Sequence, residues 1–407
     1  MTNPPEHVSV PDRPETASRR TELDVLRALV VVGLVFFHAA LVFSPDDDFY
    51  VKNADTTEAV TVVAGLGVVW AMPMLFLVAG LGARHSVRRR GPGGFARERL
   101  LRLGVPLVFA TVALDPLPQW LRQRAADPAY DESYGHFWLR FFDVHLDLAD
   151  FPFVLDGEHF ETGHLWFVVL LLVFCLLVAA VAGPVATAGE RAASALADRP
   201  ALLLLPALPL ALLNVLLGME EGFAGWNRWT YLLFFLYGYA LADDERSRAG
   251  MRRLAVPVGV AGLVLFLATA PGFSAADDPF TDRTPLALLT RALFSAAGWC
   301  WVVAILGLLD RRRARRRPAP VGRGRGGPVL GYLVVAALPL YVLHQPVVVA
   351  FAYGVVGWSA PIAVKYAAIV TASLAATLLV YEFLVRRTPV TRFLFGMRTA
   401  PPPAPPS

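Results

Sequence analysis

The sequence predicts an all-α polytopic membrane protein, a bundle of about ten transmembrane helices with both termini cytoplasmic. Three observations carry this. The 407 residues are 56% hydrophobic and only 17% charged, with a mean hydropathy of +0.52, a balance that excludes an ordinary soluble domain. Apolar stretches of the length a bilayer demands recur along the chain. The basic residues then alternate between successive loops. With the N-terminus inside, 28 of the 37 lysines and arginines fall on the inner side and 8 on the outer, Arg27 within the first stretch completing the number. That is a strong positive-inside bias. The net charge of +4 is therefore read as membrane orientation, with the bilayer of the plasma membrane as partner and no nucleic acid expected.

The elements follow in order. Residues 1–20 are polar and bear prolines, and read as a disordered cytoplasmic tail; 21–396 form the membrane domain, and 397–407, ending "PPPAPPS", a second disordered tail. Spans are expected at 23–43, 59–82, 100–118, 163–184, 200–217, 229–242, 253–270, 286–309, 329–352 and 361–385. The sixth is short and the fifth contains three prolines. Basic inner loops are expected at about 83–100 and 310–328; the run from Arg311 to Arg317 reads as an orientation signal in a flexible loop. Asp46, Asp47 and Asp48 follow the first span on the outer side. An outer loop of about 119–162 is rich in acids, histidines and aromatics, among them Tyr130, Phe137, Trp138 and Phe141, which suggest an ordered cap. Its histidines His136, His145 and His159 lack tight ligand spacing, so no metal is expected. Cys175 and Cys300 lie in apolar runs and are assigned to packing.

The first span, "LDVLRALVVVGLVFFHAALVF", holds two residues that greasiness alone does not explain. Arg27 and His38 are eleven apart, and eleven steps of about 100° come to about 1,100°. The excess over three full turns is only ~20°, so they share a face, separated by about 16 Å of rise. Arg27 alone would snorkel to the inner headgroups or pair with Asp24 one turn earlier. His38 lies deeper, where an ionisable group is a functional candidate. His344, in "LYVLHQPVVV", falls at a comparable depth in an outward-running span. There Pro346 frees the carbonyl of Val342 and favours a kink beside a cavity. His164 and Trp166 sit at the outer end of the fourth span.

These residues resemble a known family. "LDVLRALVVVGLVFFHA" is similar to the first helix of the acyltransferase-3 integral-membrane acyltransferases, whose motif is an Arg and a His separated by ten residues. "MPMLFLVAGLGAR" resembles the family's second span, with Ala79-Gly80 where Ser-Gly often stands. "RERLLRLGVP" matches its Arg-x-x-Arg with Arg99 and Arg102, while "GHLWFVVLLL" and "YVLHQPVVV" are similar to its fourth and ninth spans. With the terminal "YEFLVRRTPVTRFLFG", the set looks most like the glucan biosynthesis protein C branch, associated with succinylation of periplasmic glucans.

The resemblance implies transfer of an acyl group, acetyl or succinyl, from cytoplasmic acyl-CoA to a hydroxyl of an exported or surface glycan. Acyl-CoA is then a donor co-substrate, and no permanently bound cofactor is expected. His38 suits general-base work because imidazole titrates near neutral pH; it also suits direct attack to give an acyl-histidine. Arg27 belongs on the donor's side. Arg84, Arg99 and Arg102 are candidates for the donor's phosphates, which guanidinium forks fit. His344, His164 and Trp166 are candidates for the acceptor side. A second class of function, a transporter or flippase for an envelope precursor with an Arg/His relay, fits ten spans as well, although no paired broken helices are evident.

Overall fold

The computed structural model describes residues 21–45, 48–184, 187, 200–242, 244–315 and 328–397. The expected tail 1–20, Asp46, Asp47, the stretch 316–327 and all but Met397 of the expected tail 397–407 lie outside the described residues. Apart from turns and connecting segments, the described residues are helical except for one antiparallel ladder of two residues on each side, His145–Leu146 (β1) with Leu155–Asp156 (β2).

Helix α1 (Thr21–Leu41) opens on Glu22 and Asp24, acids at the N-terminus as the helix dipole favours, and carries His38 in its last turn. Its open end is capped by Lys52, whose Nζ donates to the carbonyls of Leu41 (2.9 Å) and Ser44. Helix α2 (Glu58–Arg99) is one run broken at Gly91, whose φ of 72° precedes Pro92. Residues 83–99, expected as a basic loop, are thus helical, and the bend there comes from the Gly-Pro pair. A π-turn (Leu100–Gly104) leads into α3 (Val105–Ala113), then α4 (Pro116–Ala126).

The outer-loop region is an ordered cap. Helix α5 (Tyr134–Phe141) is capped by Ser133, buries Phe137 and Phe141, and is tied by the Trp120 indole to Glu132 O (3.0 Å) and the Trp138 indole to Val112 O (2.8 Å). After it come α6 (Trp166–Ala180), α7 (Ala207–Leu217), α8 (Arg228–Leu241), α9 (Glu245–Leu267), α10 (Ala270–Ala275), α11 (Pro285–Arg315), α12 (Pro328–Val355), α13 (Ile362–Val380) with a π-turn to Val385, and α14 (Pro389–Leu394).

Seven of these helical stretches are long and apolar enough to cross a membrane. The expected second and third spans fall within one helical run, 58–126. The fifth is divided into a 3₁₀ turn (Pro200–Leu204) and the 11-residue α7, and the sixth is the 14-residue α8. Short helices of this kind are held by protein neighbours. At the crossing of α2 and α8 a Cβ on Gly80 would meet Phe235 O at 2.0 Å, and one on Gly238 would meet Leu77 O at 1.9 Å. The two glycines let the backbones touch, the close approach that small residues allow in bilayers.

α1 packs chiefly on α12, and α12 on α13; α2, α6, α8 and α11 make the larger core around Phe76, Tyr231, Phe234 and Trp299. Two ends follow. One carries the α1 N-terminus, the arginines of α2 and the last turns of α11, and is called the basic end. The opposite, loop end carries the cap.

Candidate functional site

His38 is placed by α1, His344 by α12, and His164 by a 3₁₀ turn (Gly163–Leu165) that opens α6. The three converge at the loop end. His38 Nδ1 is 3.2 Å from His344 Nε2, and the ring centroids of His344 lie 4.9 Å from both His38 and His164. His344 is fully buried and His164 nearly so, while His38 keeps partial exposure.

The backbone determines where the protons sit. A carbonyl only accepts, so His344 Nδ1, 2.5 Å from Tyr341 O, carries a hydrogen. In neutral His344, Nε2 is then an acceptor, and His38 Nδ1 must be the donor of the bond between them. That leaves the lone pair of neutral His38 on Nε2, at the other side of its ring. Pro346 lacks an N–H and so releases the Val342 carbonyl, which accepts from His164 Nε2 at 3.1 Å. The Tyr341 hydroxyl donates to the His164 carbonyl. The proline thus fastens the start of α6 to α12.

His38 and His164 line a cavity of about 1320 Å³. Its apolar wall runs along α1 (Leu26, Val30, Leu34, Phe37), α2 (Trp70, Ala71) and α3 (Leu107, Val108), and its loop-end mouth is formed by the cap and by Trp166 and Phe223. Val30, Leu34 and His38 make one stripe, and Arg27 continues it toward the basic end. Arg27 itself is exposed beside Asp24, Nη1 to Oδ1 at 4.0 Å, and is not in the cavity wall.

The basic-end candidates do not form one group. Arg99 and Arg102 approach Glu98 at 3.9 and 3.7 Å, and Arg90 pairs with it at 2.9 Å. Arg102 also donates to Gly396 O, and Arg99 lies over the Phe95 ring, 5.1 Å from its centroid. Arg84 stands apart, buried over the ring of Tyr239 at 5.2 Å.

Four groups near the histidines are not picked out by the sequence reading. Tyr50 donates to Glu161, both beside Gly163, whose added Cβ would lie 2.9 Å from the Tyr50 hydroxyl, 3.7 Å from Glu161 and 3.9 Å from Gln345 Nε2. Burial raises the Glu161 carboxyl above the ordinary range although Tyr50 and Arg122 pull it down. Burial, then Glu161, pushes the Tyr50 phenol well above its usual value. Asp115, between α3 and α4, is buried with Oδ2 lacking a hydrogen bond, and Gln345 is buried with Oε1 likewise unpartnered. Asp115 carried a signal, a carboxylate inside an expected span. Glu161 and Tyr50 are single polar residues in loops and carried none.

No curated protein and no solved structure matches the chain. The acyltransferase-3 family model, described as an acyltransferase domain, matches residues 20–382, from the tail before α1 into the π-turn after α13. The chain belongs to this family of membrane acyltransferases.

Proposed function

We propose that the protein transfers an acyl group, acetyl or succinyl, from cytoplasmic acyl-CoA to a hydroxyl of an exported or surface glycan or a similar acceptor. The observation that carries this is the bond from His38 Nδ1 to His344, which turns the lone pair of a cavity-lining imidazole away from its partner. His38 Nε2 takes the acceptor hydroxyl's proton as its oxygen attacks the thioester carbonyl. The C–S bond then breaks, an O-acyl ester forms, and the proton passes to the departing CoA thiolate. His344 steadies the transient imidazolium by accepting its Nδ1–H, and is itself held by Tyr341 O. His164 and Trp166 stand on the acceptor side, at the mouth under the cap.

The donor enters at the basic end, read as cytoplasmic together with both termini in a ten-span plasma-membrane topology. Arg99 and Arg102, with Arg90, hold more positive charge than Glu98 neutralises, which suits the phosphates of coenzyme A. Leu107 in the cavity wall is five residues beyond Arg102, about 8 Å of helix, so the pantetheine arm passes from the arginines directly into the apolar slot. Arg84 and Arg27 support this path from the side, Arg27 at the foot of the stripe that ends in His38. The likeness of the terminal segment to the glucan-succinylating branch supports a glucan as acceptor.

The test is purified protein in detergent, without any membrane gradient, given labelled acetyl-CoA or succinyl-CoA and a gluco-oligosaccharide. Labelled ester appearing on the sugar supports acyl transfer. Inactivity there, alongside gradient-driven uptake of the precursor by sealed vesicles, overturns it in favour of a transporter.

A further inference from the structure

Resting on the acyl-transfer reading of this same site, we propose that the transferred acyl group is uncharged, an acetyl or short alkanoyl group rather than a dicarboxylic one such as succinyl. The composition of the cavity points to this. Among the described residues no lysine or arginine lines it. Its ionisable groups are His38 and His164, the phenols of Tyr50 and Tyr341, and the carboxyls of Asp147, Asp150, Asp156, Glu161 and Glu221. The slot through which the thioester passes is apolar along α1, α2 and α3.

Arg122, Arg228, Lys365 and Lys52, which lie at the loop end, are already engaged. Arg122 pairs with Asp48 behind the Tyr50 ring. Arg228 binds Glu220 and, at 2.7 Å, Asp150. Lys365 donates to Asn53 and to the Val356 carbonyl, and Lys52 caps α1. Close to the histidines lie two further acids, Glu161 in the lining and the buried Asp115, whose Oδ2 lacks a donor.

A succinyl group reaching His38 carries its carboxylate two methylenes from the reacting carbonyl. That places a carboxylate against an apolar slot whose described lining holds no lysine or arginine to pair it, an arrangement strongly disfavoured. An acetyl or butyryl group brings only apolar surface to Phe37 and its neighbours. The buried Gln345, with Oε1 unpartnered, offers an acceptor for a hydroxyl but no charge for a carboxylate.

The experiment compares acetyl-CoA, butyryl-CoA and succinyl-CoA at equal concentration with the purified full chain, reading His38-dependent release of CoA thiol and the mass added to a gluco-oligosaccharide. Butyryl and succinyl share a four-carbon chain and differ in the terminal methyl or carboxylate, which separates charge from size. Use of acetyl-CoA and butyryl-CoA at least about a hundredfold better than succinyl-CoA in kcat/KM is expected, the scale of discrimination an unpaired buried group produces. Glu161→Gln should narrow that ratio, since it removes an ionisable carboxyl from the lining. Succinyl-CoA used as well as butyryl-CoA overturns the inference while leaving acyl transfer standing. Poor use of both beside good use of acetyl-CoA makes size the selector and also overturns it. No His38-dependent turnover of any donor overturns the acyl-transfer reading, and the inference with it.

Discussion

At the loop end, His38, His164 and His344 meet beside a cavity whose described wall holds no lysine or arginine, whereas at the basic end Arg90, Arg99 and Arg102 crowd a single Glu98. The first region is built on directional hydrogen bonds. Each ring nitrogen that touches a carbonyl is compelled to donate, and the tautomer of His38 follows. The second is built on charge, with long side chains at distances of 2.9 to 3.9 Å from one carboxylate. Directional bonding suits a group that must take a proton along one line. Excess charge suits a ligand held by several phosphate oxygens at once.

This contrast predicts that substitutions at the two ends fail differently. His38→Ala should lower transfer by at least about a thousandfold, within the range of general-base losses, with membrane insertion intact by protease-accessibility mapping. His344→Ala should cost about a hundredfold in kcat because it releases the His38 ring. His344→Gln keeps a side-chain carbonyl to accept from His38 Nδ1 and should recover most of that loss; equal loss in both variants would assign His344 to packing. Arg99→Ala and Arg102→Ala should instead raise KM for acyl-CoA by about tenfold with kcat little changed, an effect that added salt imitates in the wild type. If they lower kcat and leave KM alone, the division between the ends is wrong.

The smallest effect concerns stability. Burial raises the Glu161 carboxyl above its unfolded value, so the fold disfavours its charged form. That penalty is absent below the unfolded carboxyl range and reaches its full size once pH has risen through the folded value. Glu161→Gln should therefore raise the unfolding temperature by a few degrees at neutral pH and by less in acid. A larger gain in acid would reverse the assignment.

Much of this was legible in the sequence because it is periodic or local. The eleven-residue spacing sets Arg27 and His38 on one stripe of α1, and Val30 and Leu34 between them do line the cavity with His38. Pro346 announces a freed carbonyl, which in the fold is taken by His164. What stays hidden is tertiary. Nothing local says that α12 turns His344 onto His38, or that a single tyrosine at position 50 meets a single glutamate at 161. The basic stretch 83–99 reads as a loop because charge masks its helix, which α2 continues past the membrane-length segment until Gly91 bends it. Arg99 and Arg102 share a helix face by spacing, but their meeting at Glu98, and the separation of Arg84 onto Tyr239, depend on the bend and the π-turn.

The orientation of the His38 ring is the claim on which the rest depends. Nitrogen-15 NMR of histidine-labelled protein, with His38 assigned by comparison with His38→Ala, reads it directly. The expected signal pair is a protonated Nδ1 coupled to His344 and a bare Nε2 that moves when acceptor sugar is added. A protonated Nε2 with a bare Nδ1 in the neutral ring would contradict it, because the lone pair would then point at His344 and His38 would present no base to the cavity.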